Sequence, residues 1–415
     1  TAAQLLDAAG YTRLEEAEYW NLEPEHGYYV TRNESSIIAW RVPAHAIGGW
    51  RIAASHSDSP TWRIKNTNVN AAGCIKLNVE GYGGMIMSTW LDRPLSAAGR
   101  VLVRDEAAGT LESRLVDLDR DLLVIPSLAI HMDRTLHSGH AFNPQVDMQP
   151  LYGLEGSKPF PALLAEVAGV KEEDIVDFDL SLYTRQAPTR IGPDGELFMA
   201  PRIDDLECAA TTLYGFLDAA PETDSACAPV WAMFDNEEVG SSTRQGADSS
   251  FLRDVLDRIL NAIPHSAQAQ AQAFANSFVL SADNAHAVHP NFADKADPCN
   301  KVILGKGVVV KVNASQKYTT SGLTGAIFKE ICRKNNVTVQ AFANRADLPG
   351  GSTLGNLAMA QVSMNCVDIG LPQLAMHSCY ETAGAEDTLS LIKLMQELYS
   401  SHFEETAFGT LSISK

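Results

Sequence analysis

The sequence predicts an α/β protein whose layered domain is interrupted by a mostly β insertion. Three observations lead there. From Leu197 onward, strand-like and helical runs alternate through Leu206–Asp218, Val230–Phe234, Ser250–Ala262, Ser277–Ala282, Val308–Val312, Gly322–Lys334 and Leu389–Ser401, the order expected of an α/β layer structure. Between about residues 69 and 194, short β-branched and aliphatic runs separated by turn residues dominate instead. Several apolar runs also stop abruptly on polar clusters, as they do where strands of an open sheet deliver side chains to a ligand. The expected division is a discontinuous domain of 1–68 and 195–415 with an inserted domain of 69–194. A chain of 415 residues is in any case long for one core.

Taken in order, Ala2 to Ala8 reads as a short helix ended by Gly10, followed by an acidic segment. Gly27–Arg32 and Ser36–Arg41 read as a hairpin about Asn33-Glu34. The strand Trp50–Ala54 runs into Ser55-His56-Ser57-Asp58-Ser59-Pro60. In the insertion, Cys74–Val79, Arg100–Arg104, Leu111–Val116, Leu122–Ile125 and Asp177–Tyr183 are expected strands, Gly81-Tyr82-Gly83-Gly84 and Ala108-Gly109 are turns, and Phe160–Val167 is a helix. Ala267–Ala275, rich in Ala and Gln, is expected to be helical. No internal repeat is evident.

Composition narrows the function. Apolar residues at 45% and charged residues at 20% are those of a soluble globular chain. A net charge of -19 leaves no basic surplus for nucleic acid, and part of it fits carboxylates gathered round cations. Seven cysteines without a CxxC point to reduced thiols in the cytoplasm. No apolar stretch is long enough to cross a bilayer and no signal-peptide layout is present, so no membrane partner is expected. The chain begins with Thr1 rather than Met, so further N-terminal sequence is expected.

The chemistry gathers around Val230-Trp231-Ala232-Met233-Phe234-Asp235-Asn236-Glu237-Glu238-Val239-Gly240. If this stretch is extended, Glu237 and Glu238 face opposite sides, so one can hold a metal while the other handles a proton. A charged loop after a strand is the plainer reading of such a pair. His56 follows a strand with Asp58 two residues on, where a carboxylate can orient a metal-bound imidazole or merely shape the loop. Asp204 is compatible with an N-cap completed by Glu207 as a capping box. Asp283 ends Ser277–Ala282, with His286 and His289 after it, and His377 follows Leu374-Ala375-Met376. Each is unremarkable alone. Together, His56, Glu237-Glu238, Asp283 and His377 each end a strand-like run while Asp204 opens a helix, the distribution of a site at one edge of a sheet. Mixed His and carboxylate donors suit Zn²⁺, Mn²⁺ or Co²⁺ better than Mg²⁺.

These segments resemble the M18 family of metallopeptidases, the aspartyl aminopeptidases and their bacterial relatives. The likeness is carried by Ser55–Pro60, Tyr82-Gly83-Gly84 with Trp90-Leu91-Asp92-Arg93, Leu128-Ala129-Ile130-His131 and Arg202-Ile203-Asp204-Asp205-Leu206. It continues through Asp235–Ser241, Ser281–Asn291, Lys311-Val312-Asn313 with Gln316-Lys317-Tyr318, Gly351-Ser352-Thr353, and Asp368–Pro372 leading to Met376-His377-Ser378. It spans nearly the whole chain.

The resemblance implies a zinc-peptidase domain with a central mixed sheet flanked by helices, interrupted by a β-rich dimerisation domain, and assembled as a tetrahedral dodecamer built from dimers. It implies two Zn²⁺ per subunit, with Asp204 bridging, His56 and Asp283 on one ion, Glu238 and His377 on the other, and Glu237 as general base. His286 and Lys311 match positions that contact substrate, and His131 matches a histidine that reaches a neighbouring subunit's site. The implied reaction is removal of N-terminal residues, preferentially Asp or Glu, from peptides with a free N-terminus. A broad or neutral-residue aminopeptidase, a two-metal deacylase or carboxypeptidase, and a non-enzymatic scaffold are the rival readings. Lys311 is equally compatible with a structural salt bridge. Ser57 stands where the family usually has Thr and Asn236 where His is common, and neither replaces a ligand.

Overall fold

The computed structural model describes residues 1–219, 227–263, 265–407 and 410–414. A nine-stranded sheet organises the larger part in the order Thr12–Leu14, Gly27–Arg32, Ser36–Arg41, Cys227–Phe234, Gly49–His56, Phe278–Ala282, Asn365–Gly370, Val308–Val312, Val339–Ala343. The sheet is mixed. Cys227–Phe234, Gly49–His56, Phe278–Ala282 and Asn365–Gly370 run parallel, while Val308–Val312 opposes its neighbour Asn365–Gly370. Both faces are covered, so these strands read as apolar runs instead of alternating ones. Successive side chains still go to opposite faces. Ala53 and Trp231 pack in the core under the Ile203–Asp218, Gly322–Lys334 and Ala385–Tyr399 helices. Ile52, Ala54, Val230 and Ala232 pack in the other, under Phe251–Asn261 and Leu354–Val362.

The hairpin expected about Asn33-Glu34 is present, with Arg32 opposite Ser36. Asn33 and Glu34 both take positive φ, 55° and 58°, which lets the turn follow the twist of its strands.

A second, all-antiparallel sheet has the order Thr110–Asp117, Leu95–Asp105, Ile175–Thr184, Thr61–Ala71, Cys74–Tyr82, Leu151–Leu154. It closes over its own core with the Phe160–Ala168 helix, around Trp62, Leu77, Val101 and Leu180. The change of texture read at residue 69 falls inside a strand that begins at Thr61. Leu122–Ile125 forms only single bridges, from Leu123 to Leu95, Val124 to Leu151 and Ile125 to Leu91, so it braces the sheet without joining it.

A small five-stranded sheet, Thr189–Ile191, Leu197–Ala200, Glu381–Gly384, Pro372–Leu374, Ala285–His286, gathers the chain just before Asp204, just after Asp283 and on both sides of His377. It ties together segments that the main sheet delivers separately. Among the described residues, no helix is long and apolar enough to cross a membrane.

Candidate metal centre

Register brings the site together. His56 is the last residue of its strand and pairs across the ladder with Phe234, so the loop after Phe234 starts level with His56. On the other side, Ser281 sits opposite Ala54 and Asp368, which puts Asp283 just beyond the same edge. Four parallel strands therefore end together, and their loops converge as expected at the carboxyl edge of an open sheet.

The acid pair is not extended. Asn236 takes φ 64°, and Glu237–Val239 forms a 3-10 turn. The two carboxylates still differ in environment, by the curvature of the turn and not by strand alternation. Asp58 fixes that turn, its Oδ1 accepting the Glu237 N–H at 3.0 Å and its Oδ2 the Glu238 N–H at 3.1 Å. Both are donors that the start of a helical turn leaves unpaired. The Tyr82 hydroxyl donates to Asp58 Oδ2 at 2.7 Å and accepts from Asn236 Nδ2 at 2.8 Å, while Asn236 Oδ1 accepts from Thr243 and Gln245. Asp58 also faces His56 Nδ1, its backbone carbonyl at 3.1 Å and Oδ1 at 3.5 Å. It shapes the loop and orients the ring at once.

Asp204 is not a cap. The Ile203–Asp218 helix is capped by Arg202 in the left-handed region, and Asp204 and Asp205 depart from helical angles. That departure turns the Asp204 carboxylate away from the helix and between two imidazoles. His56 Nε2 lies 3.5 Å from its Oδ1 and His377 Nε2 lies 3.2 Å from its Oδ2. Glu207 serves elsewhere, accepting from Asn284 and Thr388.

Two ligand-grade clusters result, and they share Asp204. One is His56, Asp204, Asp205 and Asp283; the other is Asp204, Glu238 and His377. His377 Nε2 is 3.3 Å from Glu238 Oε2, and its Nδ1 faces the Gly84 carbonyl at 2.5 Å, which leaves Nε2 free to bind. Asp205 was not singled out from the sequence. Its Oδ2 accepts the His56 N–H at 3.0 Å, so it holds the strand end that presents the ring. Its adjacency to Asp204 was the one available signal.

Glu237 lines the same cleft, a cavity of about 300 Å³ that also takes in His286, Lys311, Tyr318 and Thr353. Lys311 is buried and its Nζ pairs with Asp283 Oδ2 at 3.2 Å. Burial opposes its charge, but Asp283, Tyr318 and Asp368 more than offset that and raise its pKa. His286 stands at the cleft with its pKa lowered by its crowded surroundings and then by Lys311. His131 is exposed on a turn after Leu122–Ile125 and does not line this cleft.

The electrostatics are those of donors short of positive charge. Burial, then Asp204, push Glu238 upward; burial also pushes Glu237 upward, with Asp283 and Asp204 adding to it against His56. Burial opposes a charge on His56 and His377, yet the carboxylates around them lift both well above the ordinary imidazole range. Asp204 Oδ1 and Glu238 Oε1 are buried without a hydrogen-bond partner. Buried carboxylate oxygens are rarely left so, and cations coordinated by this His and carboxylate set would satisfy both atoms and reverse the shifts.

Compared with known proteins, residues 1–399 match the family described as aminopeptidase I zinc metalloprotease (M18). The chain is 41% identical over 409 residues to the Clostridium novyi protein named "Probable M18 family aminopeptidase 2", covering 96% of this chain and 94% of that one. It is 40% identical over 409 residues to a Pseudomonas aeruginosa protein of the same name, covering 96% and 93%. Among solved structures it resembles the one described as "Cryo-EM structure of the Ape4 and Nbr1 complex", with a TM-score of 0.92, 36% identity, and coverage of 96% of this chain and 81% of that one. It also resembles the S. cerevisiae mApe1 dodecamer, with a TM-score of 0.84, 26% identity, and coverage of 96% and 91%.

Proposed function

The chain belongs to the M18 family of aminopeptidases, zinc metalloproteases, and from that premise we propose that it removes N-terminal residues from peptides with a two-zinc centre. The observation that carries the proposal is the sharing of Asp204 between the His56–Asp283 and Glu238–His377 clusters. In this reading His56 and Asp283 would hold one zinc and Glu238 and His377 the other, with Asp204 common to both sets. Zinc held by such donors acidifies water towards a pKa of about 7 and acts as a Lewis acid on a carbonyl.

Glu237 supplies the proton traffic. Its carboxylate takes the proton of the attacking water and returns it to the leaving amine nitrogen. Glu237 lines the cleft beside both clusters without belonging to either, so its carboxylate is left for proton transfer. Asp58 holds the Glu237 backbone and the His56 ring in one frame, and so positions the base against the metal edge.

For the substrate side chain, we assign Lys311 and His286 as the groups facing an acidic first residue, so Asp and Glu are preferred. An ammonium meeting a carboxylate is the warrant. A second reading, a broad or neutral-residue aminopeptidase, is favoured by one observation: Lys311 is already paired with Asp283.

The assembly assigned here is a homo-dodecamer in the cytoplasm, with the 69–194 insertion making dimers. Exposed Leu128, Ile130 and Met132 flank His131 on that unit, an apolar patch suited to burial by a neighbouring subunit. His131 would then reach the neighbour's cleft.

One assay series tests the proposal. Hydrolysis of Asp-, Glu- and Leu-aminoacyl chromogenic substrates is measured before and after chelation, with zinc content in parallel. Chelation should abolish cleavage, zinc should restore it at two equivalents, and N-acetylation of the substrate should prevent it. Full activity in zinc-free protein would overturn the metal assignment. Faster cleavage of the Leu compound would remove the acidic preference.

A further inference from the structure

We infer that Glu381 is a positioning residue for the metal site, fixing the separation of the two peptides that carry Asp204 and His377. Its Oε2 accepts the Asp204 N–H at 3.0 Å and its Oε1 accepts the His377 N–H at 2.7 Å. One carboxylate thus grips the main chain of two ligands that lie far apart in sequence. The side chains of the same two residues meet at 3.2 Å, His377 Nε2 against Asp204 Oδ2. The contacts close a ring: Glu381, the Asp204 backbone, the Asp204 carboxylate, the His377 imidazole, the His377 backbone, and Glu381 again.

The backbone close to both gripped N–H groups is unusual. Arg202, two residues before Asp204, takes φ 60°, and His377 itself takes φ 67°. Left-handed residues other than glycine persist where their surroundings over-determine them. Glu381 supplies that determination at His377, whose N–H has no helix or strand partner. The carboxylate's own backbone is fixed too, since Glu381 pairs in register with Ala200, shortly ahead of Asp204.

Glu381 belongs to neither metal cluster. It is 2% exposed and lines a cavity of about 420 Å³ with Asp58, Tyr82 and Arg202, a lining that does not include the metal-cluster residues. Its carboxylate meets these two ligands, Asp204 and His377, through their main-chain N–H groups. Removing one of its two acceptors leaves the gap between these ligands, which a bound cation must span, set only by the flanking strands.

The inference rests on Asp204 and His377 being ligands of one ion, and its test reads metal binding directly. Zinc affinity is measured by competition with a chromogenic chelator for the parent, Glu381→Gln, Glu381→Asp and Asp387→Asn. Asp387 is the matched control: it is buried and accepts the Gly305 and Gly307 N–H groups at 2.7 Å, away from the ligands. Glu381→Gln should weaken one binding step by about 10–100-fold, the usual effect of losing an outer-shell partner, while Asp387→Asn stays within about twofold of the parent. Parent-like affinity in Glu381→Gln, or equal weakening in Asp387→Asn, would overturn the inference. Should Glu381→Gln not fold, Glu381→Asp decides, because its carboxylate is retracted but retained: affinity at least about threefold weaker supports the assignment and parent-like affinity ends it. A parent that binds a single zinc would defeat the two-zinc reading and leave this inference standing, since Asp204 and His377 share one cluster.

Discussion

Asp58 accepts the Glu237 N–H through Oδ1 at 3.0 Å, so the residue that orients His56 also fixes the proposed base. His56 comes from one strand and Glu237 from its neighbour, and a loop carboxylate ties them. Burial would raise the Asp58 pKa, but His56, Tyr82 and the Glu238 N–H hold it below the usual carboxylate range. The charge is therefore kept at working pH, and the link is a charge-assisted one.

Because that link uses the Glu237 main chain, the side chain can be changed without loosening it. Glu237→Gln should lower kcat by about 10²–10⁴-fold, the range for losing a general acid–base group. Zinc content should match the parent, since neither metal cluster includes Glu237. Turnover near the parent's, measured on the same substrate with zinc content in parallel, would show that another group moves the proton.

Much of this site was legible in the sequence because its ligands end buried apolar runs, and a parallel strand advertises its carboxyl end by a sudden polar switch. His56, Glu238 and Asp283 were visible in that way. Asp204 was ambiguous, because Asp204 and Glu207 have the spacing of a capping box; only the non-helical angles at Asp204 and Asp205 separate the two roles. Glu381 was invisible. It opens a four-residue strand, and its meaning lies in contacts with Asp204 and His377 that no local pattern encodes. The extended reading of Glu237-Glu238 missed the turn because Asn236 in the left-handed region reverses the chain at once.

Glu207 carries a pH dependence separate from the ligands. Burial pushes it up to about 7 against its bonds from Asn284 and Thr388, with Asp387 adding to the rise. The folded protein therefore holds a proton that the unfolded chain releases near the ordinary value of 4.5. The associated stability is fully present below that value and is lost as pH rises through about 7, roughly 3 kcal/mol at 1.36 kcal/mol per pK unit. Urea unfolding of parent and Glu207→Gln, both chelated, at pH 5 and pH 8 checks this. The variant should gain on the parent by about 2.5 kcal/mol between the two pH values, because a small part of the effect is already lost at pH 5. An unchanged difference would show that Glu207 titrates normally in the fold.

The turn Gly83-Gly84 follows the Cys74–Tyr82 strand of the second sheet yet touches the candidate metal centre. Gly83 has φ 72°, and a Cβ there would lie 3.1 Å from Glu238 Cβ and 3.4 Å from Pro60 Cγ. Alanine at this position costs about 1–2 kcal/mol for the left-handed backbone and presses on a proposed ligand. Gly84 has open space around its Cβ direction and contributes its carbonyl to His377, which alanine preserves. Gly83→Ala should therefore lower turnover and zinc affinity together, by about tenfold, as loss of outer-shell support does. Gly84→Ala should remain within about twofold of the parent, because its only contact with the ligand is main chain. The pair separates two explanations for damage in this turn. Equal losses in both variants would mean that the turn needs glycine for flexibility, and a parent-like Gly83→Ala would mean that Glu238 has room to move.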